Sequence, residues 1–235
     1  MGGVGAPAGS AGSVKDADES VPVMLAPLAH GVSAWSAEDM TRVTGLVLAA
    51  GAGRRMGTAK ALLRDPDGTS WLLRTIAVLR DGGCGSVVVV LGAEGGSAAR
   101  LLEGQDVITV VAADWDEGMG ASLRGGLTHL LDTDAAVALV TLVDLPDVGS
   151  DVVARVVSAA GGDPDGLVRA AYAGVSGHPV ALGRTHWPPV IASAVGDRGA
   201  RDYLSARSVT LVECADLASG SDVDRPAVVG GADET

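Results

Sequence analysis

Residues 44–60 read Thr-Gly-Leu-Val-Leu-Ala-Ala-Gly-Ala-Gly-Arg-Arg-Met-Gly-Thr-Ala-Lys. Thr44 to Ala50 is a short continuous apolar run ending in glycines, the pattern of a strand buried on both faces. Glycines at 51, 53 and 57 then open a turn in which backbone N–H groups can approach a phosphate chain without interference from a Cβ atom. Arg55 offers a fork of donors for phosphate oxygens, and Lys60 a mobile point charge. The plain reading is a Gly-rich strand-to-helix turn with exposed basic residues, and two well-known nucleotide loops do not fit. A dinucleotide fingerprint requires G-x-G-x-x-G, whereas here the third glycine comes one residue late. The ribose-binding acid expected about twenty residues on also falls inside a helix. A Walker A loop requires Lys and then Ser or Thr directly after its last glycine, and that fails too.

The segments that follow alternate between two periods. Ser70 to Arg80 carries Leu72, Leu73, Ile76 and Leu79 on one helical face and stops at Gly82-Gly83. Strands are expected at Ser86–Leu91, Val107–Ala112 and Ala136–Val143, and helices near Glu94–Leu102, Met119–Leu131 and after Ser150 or Asp151. Shorter strand-like segments follow at Gly166–Ala171 and His178–Leu182. Strand–helix alternation of this kind implies right-handed crossovers and a three-layer α/β/α, Rossmann-like fold with a mostly parallel sheet. The Gly/Ala/Ser/Pro-rich residues 1–41 read as a disordered or mis-assigned N-terminal extension, 42–214 as one domain, and 215–235 as a flexible acidic tail.

The 235 residues are 47% hydrophobic but only 3% aromatic, with no Phe, so the core must be Val, Leu, Ile and Ala. A formal net charge of −12 argues against a nucleic-acid-binding surface, which needs a basic stripe. Cys84 and Cys214 form neither a disulfide framework nor a metal spacing. No apolar run nears the ~20 residues of a membrane span. Asp16, Asp18 and Glu19 precede the mildly apolar Val21–Trp35, the wrong charge for a signal peptide. A cytoplasmic protein is expected.

Further strings carry candidate chemistry. The strand 137–143 runs directly into Asp144-Leu145-Pro146. A carboxylate at the carboxyl end of a strand faces the ligand cleft of an open α/β sheet and can hold Mg²⁺, or it can cap the turn to the next helix. In Gly196-Asp197-Arg198-Gly199-Ala200-Arg201, Asp197 reads either as a helix N-cap or as a second Mg²⁺ contact. In Asp116–Arg124, Met119 and Leu123 are core, while Gly120, Arg124 and Thr128 share the opposite face, so Arg124 points out of the core. His178 before Pro179 is a turn residue rather than a general base. His30, His129 and His186 have no partner at zinc spacing.

The string Leu48-Ala49-Ala50-Gly51-x-Gly53-x-Arg55-Met56-Gly57-x-x-Lys60 resembles the signature of the MobA-like NTP transferase superfamily, over roughly Thr44 to Leu211. Ala50 and the Gly-Asp-x-Gly-Ala-Arg string resemble its molybdenum cofactor cytidylyltransferase branch. The guanylyl-transferring branch usually has Gly-Gly where this chain has Ala50-Gly51. The resemblance implies a nucleotidyltransferase fold in which Leu48, Ala49, Ala50, Gly51 and Gly53 line the nucleotide and Arg55 and Lys60 contact phosphates. It implies Asp144 of the Asp-x-Pro string, with Asp197, as the Mg²⁺ ligands. Ser122 and Arg124 would stand beside the nucleotide. His178 of the Gly-x-Pro-Val string, with Arg198 and Arg201, would stand near the acceptor. The implied partners are a nucleoside triphosphate, with CTP first, a small phosphorylated acceptor, with molybdopterin first, and a molybdenum enzyme or its maturation factor. A guanylyl- or uridylyltransferase, an NAD(P)H-dependent oxidoreductase reusing the pocket, and a non-catalytic maturation partner are the alternatives.

Overall fold

In the computed structural model, residues 42–53 and 57–223 are described. Expectations for residues 1–41, for Arg55 and for the chain beyond Val223 lie outside them. The valine runs become the strands their pattern predicts: β1 (Val43–Leu48), β2 (Ser86–Leu91) and β4 (Val137–Leu142) are buried along almost their whole length. β3 (Ile108–Val111), β5 (Leu167–Tyr172), β6 (Val175–Gly183) and β7 (Thr210–Glu213) complete one seven-stranded sheet, in the order β3-β2-β1-β4-β6-β5-β7. β6 runs antiparallel to both its neighbours, and the other pairs are parallel. The sheet is mostly parallel, as its alternating periods predict.

The apolar strands show no alternation because both faces are covered. Val43, Val47, Val87 and Val89 face one layer with Leu72, Ile76 and Leu79 of α1 (Trp71–Asp81) and Val152, Val153 and Val156 of α4 (Ser150–Ala160). Ala98 of α2 (Gly95–Leu101) joins that layer. Leu46, Leu48, Val88 and Val90 point the other way, against Leu123, Leu127 and Leu130 of α3 (Met119–Leu130). Trp187 and Val190 of α5 (Trp187–Ser193) and Tyr203 and Leu204 of α6 (Arg201–Ser205) extend that second layer. The three-layer α/β/α arrangement is therefore written in consecutive strand residues, each belonging to the opposite core from the next.

Local chemistry fixes the ends. Ser70 caps α1, its Oγ accepting from the Leu73 amide at 3.4 Å, a contact of about 1 kcal/mol in such positions. α4 starts on Gly149 and has no side-chain cap, so neither Ser150 nor Asp151 serves as one. Ala173 and Gly174, both at positive φ, turn β5 into β6, and the Glu213 carboxylate accepts both their amides. Of the stretch expected as a tail, residues 215–223 are described. Residues 215–223 have no regular structure but are packed: Arg155 pairs with Asp216 at 2.5 and 2.8 Å, Ser219 binds Asp147, and Ala218 and Val223 lie against the core. One of the acidic residues behind that expectation, Asp216, is a tie.

Candidate active site

The carboxyl ends of β1 and β4 meet at one cavity of about 360 Å³. Parallel pairing of Leu48 with Leu142 places the glycine loop and Asp144 side by side, 84 residues apart in sequence for Lys60 and Asp144. From the loop, Leu48, Ala50, Gly51, Ala52 and Lys60 line the cavity. Ala49 is buried in the core beneath it, its N–H donating to the Val90 carbonyl at 2.9 Å. Gly53 is buried with φ +57, and a Cβ there would stand 1.8 Å from the Thr58 carbonyl oxygen. Only glycine lets the loop fold back so tightly. The return is closed by the Lys60 amide donating to the Gly51 carbonyl at 3.1 Å.

Asp144 is 2% exposed. It caps no helix, since the next one begins six residues later. Its carboxylate accepts from the Lys60 ammonium, which is itself partly exposed to the cavity. A buried carboxylate must be matched by a cation, and here that cation comes from the glycine loop. The Asp144 carbonyl accepts the Val223 amide at 3.0 Å, so the docked tail braces the same residue.

Asp197 reaches the cavity from the opposite layer, in a 3₁₀ turn (Gly196–Arg198) before α6. It makes no side-chain cap, and α6 starts on Ala200, so its reading as an N-cap is corrected. Gly118 makes room for it: φ there is +114, and a Cβ would lie 2.5 Å from Asp197 Oδ1. A Cβ on Gly120 would lie 2.9 Å from the backbone of Ala194 and Val195. The start of α3 and the segment 194–197 are thus in backbone contact. That contact decides Arg124, whose guanidinium donates to the Ala194 carbonyl at 2.8 Å and to Glu117 at 2.7 Å. Arg124 is not among the cavity-lining residues and ties two of its walls together, while the expectation had placed it beside the nucleotide. Ser122, 4% exposed, does line it.

Sequence reasoning passed over Trp115, which lies half-buried on the cavity wall against Gly92 and Ala50. A lone Trp between acidic residues carries no periodic signal.

A second cavity of about 330 Å³ adjoins the first and shares Leu48, Met119, Leu142 and Asp197 with it. His178, Arg198 and Arg201 line this second space. Arg198 is largely exposed and paired with Asp202 at 2.5 Å. Burial, then the charge of Arg169, pushes His178 down to about 4, so its imidazole is neutral at pH 7.

Asp116, Glu117, Asp144 and Asp197 all line the first cavity, with Lys60 as the cation among the described residues there. Among the described residues that lining is predominantly anionic. Hard oxygen donors on two opposed walls fit a divalent cation that arrives with the phosphates. Among the described residues no three or more His, Cys, Asp or Glu side chains gather as an all-protein metal cage. That suits an ion taking one or two carboxylates and completing its shell from phosphate and water.

The sequence profile of the MobA-like NTP transferase domain matches residues 45–213. The chain belongs to that family. Among its relatives is the Nicotine blue oxidoreductase of Paenarthrobacter nicotinovorans, 33% identical over 200 residues, covering 79% of this chain and 94% of that one. The homolog of Rv0371c from Mycobacterium sp. strain JC1 superposes with a TM-score of 0.64 at 30% identity, over 79% of this chain and 91% of that one. Rv0371c of Mycobacterium tuberculosis, solved in complex with manganese, gives 0.57 at 29% identity, over 74% and 89%. This MobA-like chain therefore shares the fold and the loop of a nucleotidyltransferase family. No helix among its described residues is long and apolar enough to cross a membrane.

Proposed function

We propose that this MobA-like protein transfers the NMP part of a nucleoside triphosphate, CTP first, to a small phosphorylated acceptor, molybdopterin first, releasing pyrophosphate. The observation that carries the reading is the Asp144 carboxylate, buried at the end of β4 and faced by Lys60 from the glycine loop at a cavity open to ligand. The acceptor phosphate is anionic near neutral pH, so its attack on the α-phosphorus needs no strong base. The new P–O bond forms as the bond to the leaving pyrophosphate breaks. Catalysis then rests on alignment and on neutralising charge. The Gly51–Gly53 turn and Lys60 hold the β- and γ-phosphates, with Arg55 of the same loop. Asp144 and Asp197 are the groups that would hold Mg²⁺, which when bound offsets phosphate charge and polarises the reacting phosphoryl group. Leu48, Ala50 and Ser122 shape the space for the nucleoside. The assembled product would pass to a molybdenum enzyme or its maturation factor.

The test is pyrophosphate release from CTP, GTP, UTP and ATP with Mg²⁺, with and without molybdopterin. Release from one nucleotide that depends on the acceptor supports the proposal. Release from GTP or UTP alone moves it to another base, and no release with molybdopterin removes that acceptor.

A second reading rests on one finding, the 33% identity to an oxidoreductase over most of both chains. In it, the same cavity takes a reduced nicotinamide dinucleotide. The late third glycine speaks against that, since Gly57 stands where a dinucleotide loop has already entered its helix. NADPH binding and oxidation with a quinonoid dye, without NTP binding, would favour it.

A further inference from the structure

The second cavity holds a residue that the pattern of the sequence conceals. Arg169 sits in β5 between Val168 and Ala170, where its charge reads as a strand residue turned to solvent. It is instead half-buried and lines the second cavity together with Arg201, the first residue of α6. Its Nε donates to the Gly177 carbonyl at 2.8 Å, which spends one edge of the guanidinium on the β5–β6 hairpin and fixes its plane. Its two Nη groups have no protein partner among the described residues, and neither is sealed from solvent. Arg201 likewise has no carboxylate partner among the described residues. Asp197 and Asp222 line the same cavity, yet neither lies within ion-pair distance of either arginine.

Two guanidiniums sharing a cavity without a counter-ion repel each other. Burial, and then the charge of Arg201, holds Arg169 below the ordinary arginine value. Both remain cations at neutral pH, because guanidinium does not give up its proton in proteins. His178, neutral beside them, adds no charge but can offer a ring N–H. Beside Asp197, Asp222, Arg198 and Ser176, the wall has an apolar part: Leu123, Val140, Val180, Leu182 and Leu204 come from four different elements. The arginine pair suits an anionic head, and the apolar part of the wall a less polar body.

We infer that Arg169 and Arg201 form a two-pronged clamp for the phosphate monoester of the acceptor, whose body lies on the apolar part of the wall. This rests on the transferase reading for the role of the ligand, but the clamp itself is testable without turnover. Asp197, at the border of the two cavities, then stands between acceptor and nucleotide. Arg169 is a binding and specificity residue in this account.

The experiment is calorimetric titration of the full chain with phenyl phosphate, and with phenol as the neutral control. Wild type is expected to bind phenyl phosphate and to bind phenol at least about tenfold more weakly. Arg169→Gln and Arg201→Gln are each expected to weaken phenyl phosphate by about tenfold or more, and Arg169→Lys by less. Binding of Mn²⁺-CTP should be unchanged in the Arg169 and Arg201 variants. Because Arg201 is exposed, its variant decides the matter if Arg169→Gln fails to fold by circular dichroism. Equal binding of phenol and phenyl phosphate overturns the clamp. So does wild-type affinity in both Gln variants, or competitive displacement of phenyl phosphate by Mn²⁺-CTP, which would put the anion in the triphosphate loop. If the clamp holds but no NTP is turned over, the transferase reading fails and the clamp stands.

Discussion

The two halves of the sheet differ in kind. β2, β1 and β4 run parallel, are buried on both faces, and end together at the glycine loop and Asp144. β6, β5 and β7 mix directions, and β6 begins exposed and ends buried. The parallel half brings the glycine loop, Lys60 and Asp144 to the first cavity, which on the transferase reading takes the polyphosphate. The mixed half presents side chains, two of them unpaired arginines, on a partly apolar floor. Under the proposed function, the first half would hold the group common to all substrates and the second would select the acceptor.

The largest effect expected falls on the parallel half. Asp144→Asn should lower turnover on the order of a thousandfold or more, several kcal/mol of transition-state stabilisation, with little change in Tm. Equal turnover in steady-state kinetics of the variant would remove Asp144 from the site and with it the contrast between the halves.

The parallel half was also the legible one. Leu48 to Lys60 and Asp144-Leu145-Pro146 are contiguous strings that the family resemblance picks out, and the Val-rich runs mark strands buried on both sides. The other half depends on contacts that no local period encodes. Asp197 owes its position to Gly118 and Gly120, about eighty residues earlier. Arg124, on a face that periodicity turns outward, is covered by that same contact. α5 begins Trp187-Pro188-Pro189, which reads as a break, although proline is well placed in the first turn of a helix. Arg169 looks like any charge on a strand until β6 and α6 close around it.

His178 tests whether the mixed half is as dry as its lining implies. Its folded value of about 4 lies below the ordinary 6.5, with burial the main cause and Arg169 the second. The unfolded chain therefore takes up a proton before the folded one does. Stability from this group is intact above about pH 6.5 and falls as pH is lowered toward 4, by at most on the order of 3 kcal/mol. Chemical denaturation across that window should show the fall, and His178→Gln should flatten it. A variant with the wild-type pH profile would mean the imidazole is wet.

Gly118→Ala sharpens the comparison at the border, because Asp197 belongs to both cavities. The strained φ and the clash with the carboxylate should cost about 1–3 kcal/mol of stability. Affinity for nucleotide and for acceptor should fall together. Loss of only one would place Asp197 in one half alone. The smallest effect is expected for Asp216→Ala, which frees the tail from Arg155: a slight drop in Tm and unchanged turnover, since exposed ion pairs contribute little. A large drop in turnover would instead make the tail's brace on Asp144 part of the active site.

The most direct test of the account follows the α-phosphorus itself. With CTP labelled at that atom, Mg²⁺ and molybdopterin, the label should appear in the acceptor product of the wild type and be lost with Asp144→Asn. If no labelled nucleoside triphosphate passes its α-phosphorus to any phosphorylated acceptor, while NADPH binds the same cavity and is oxidised, the transferase account is contradicted.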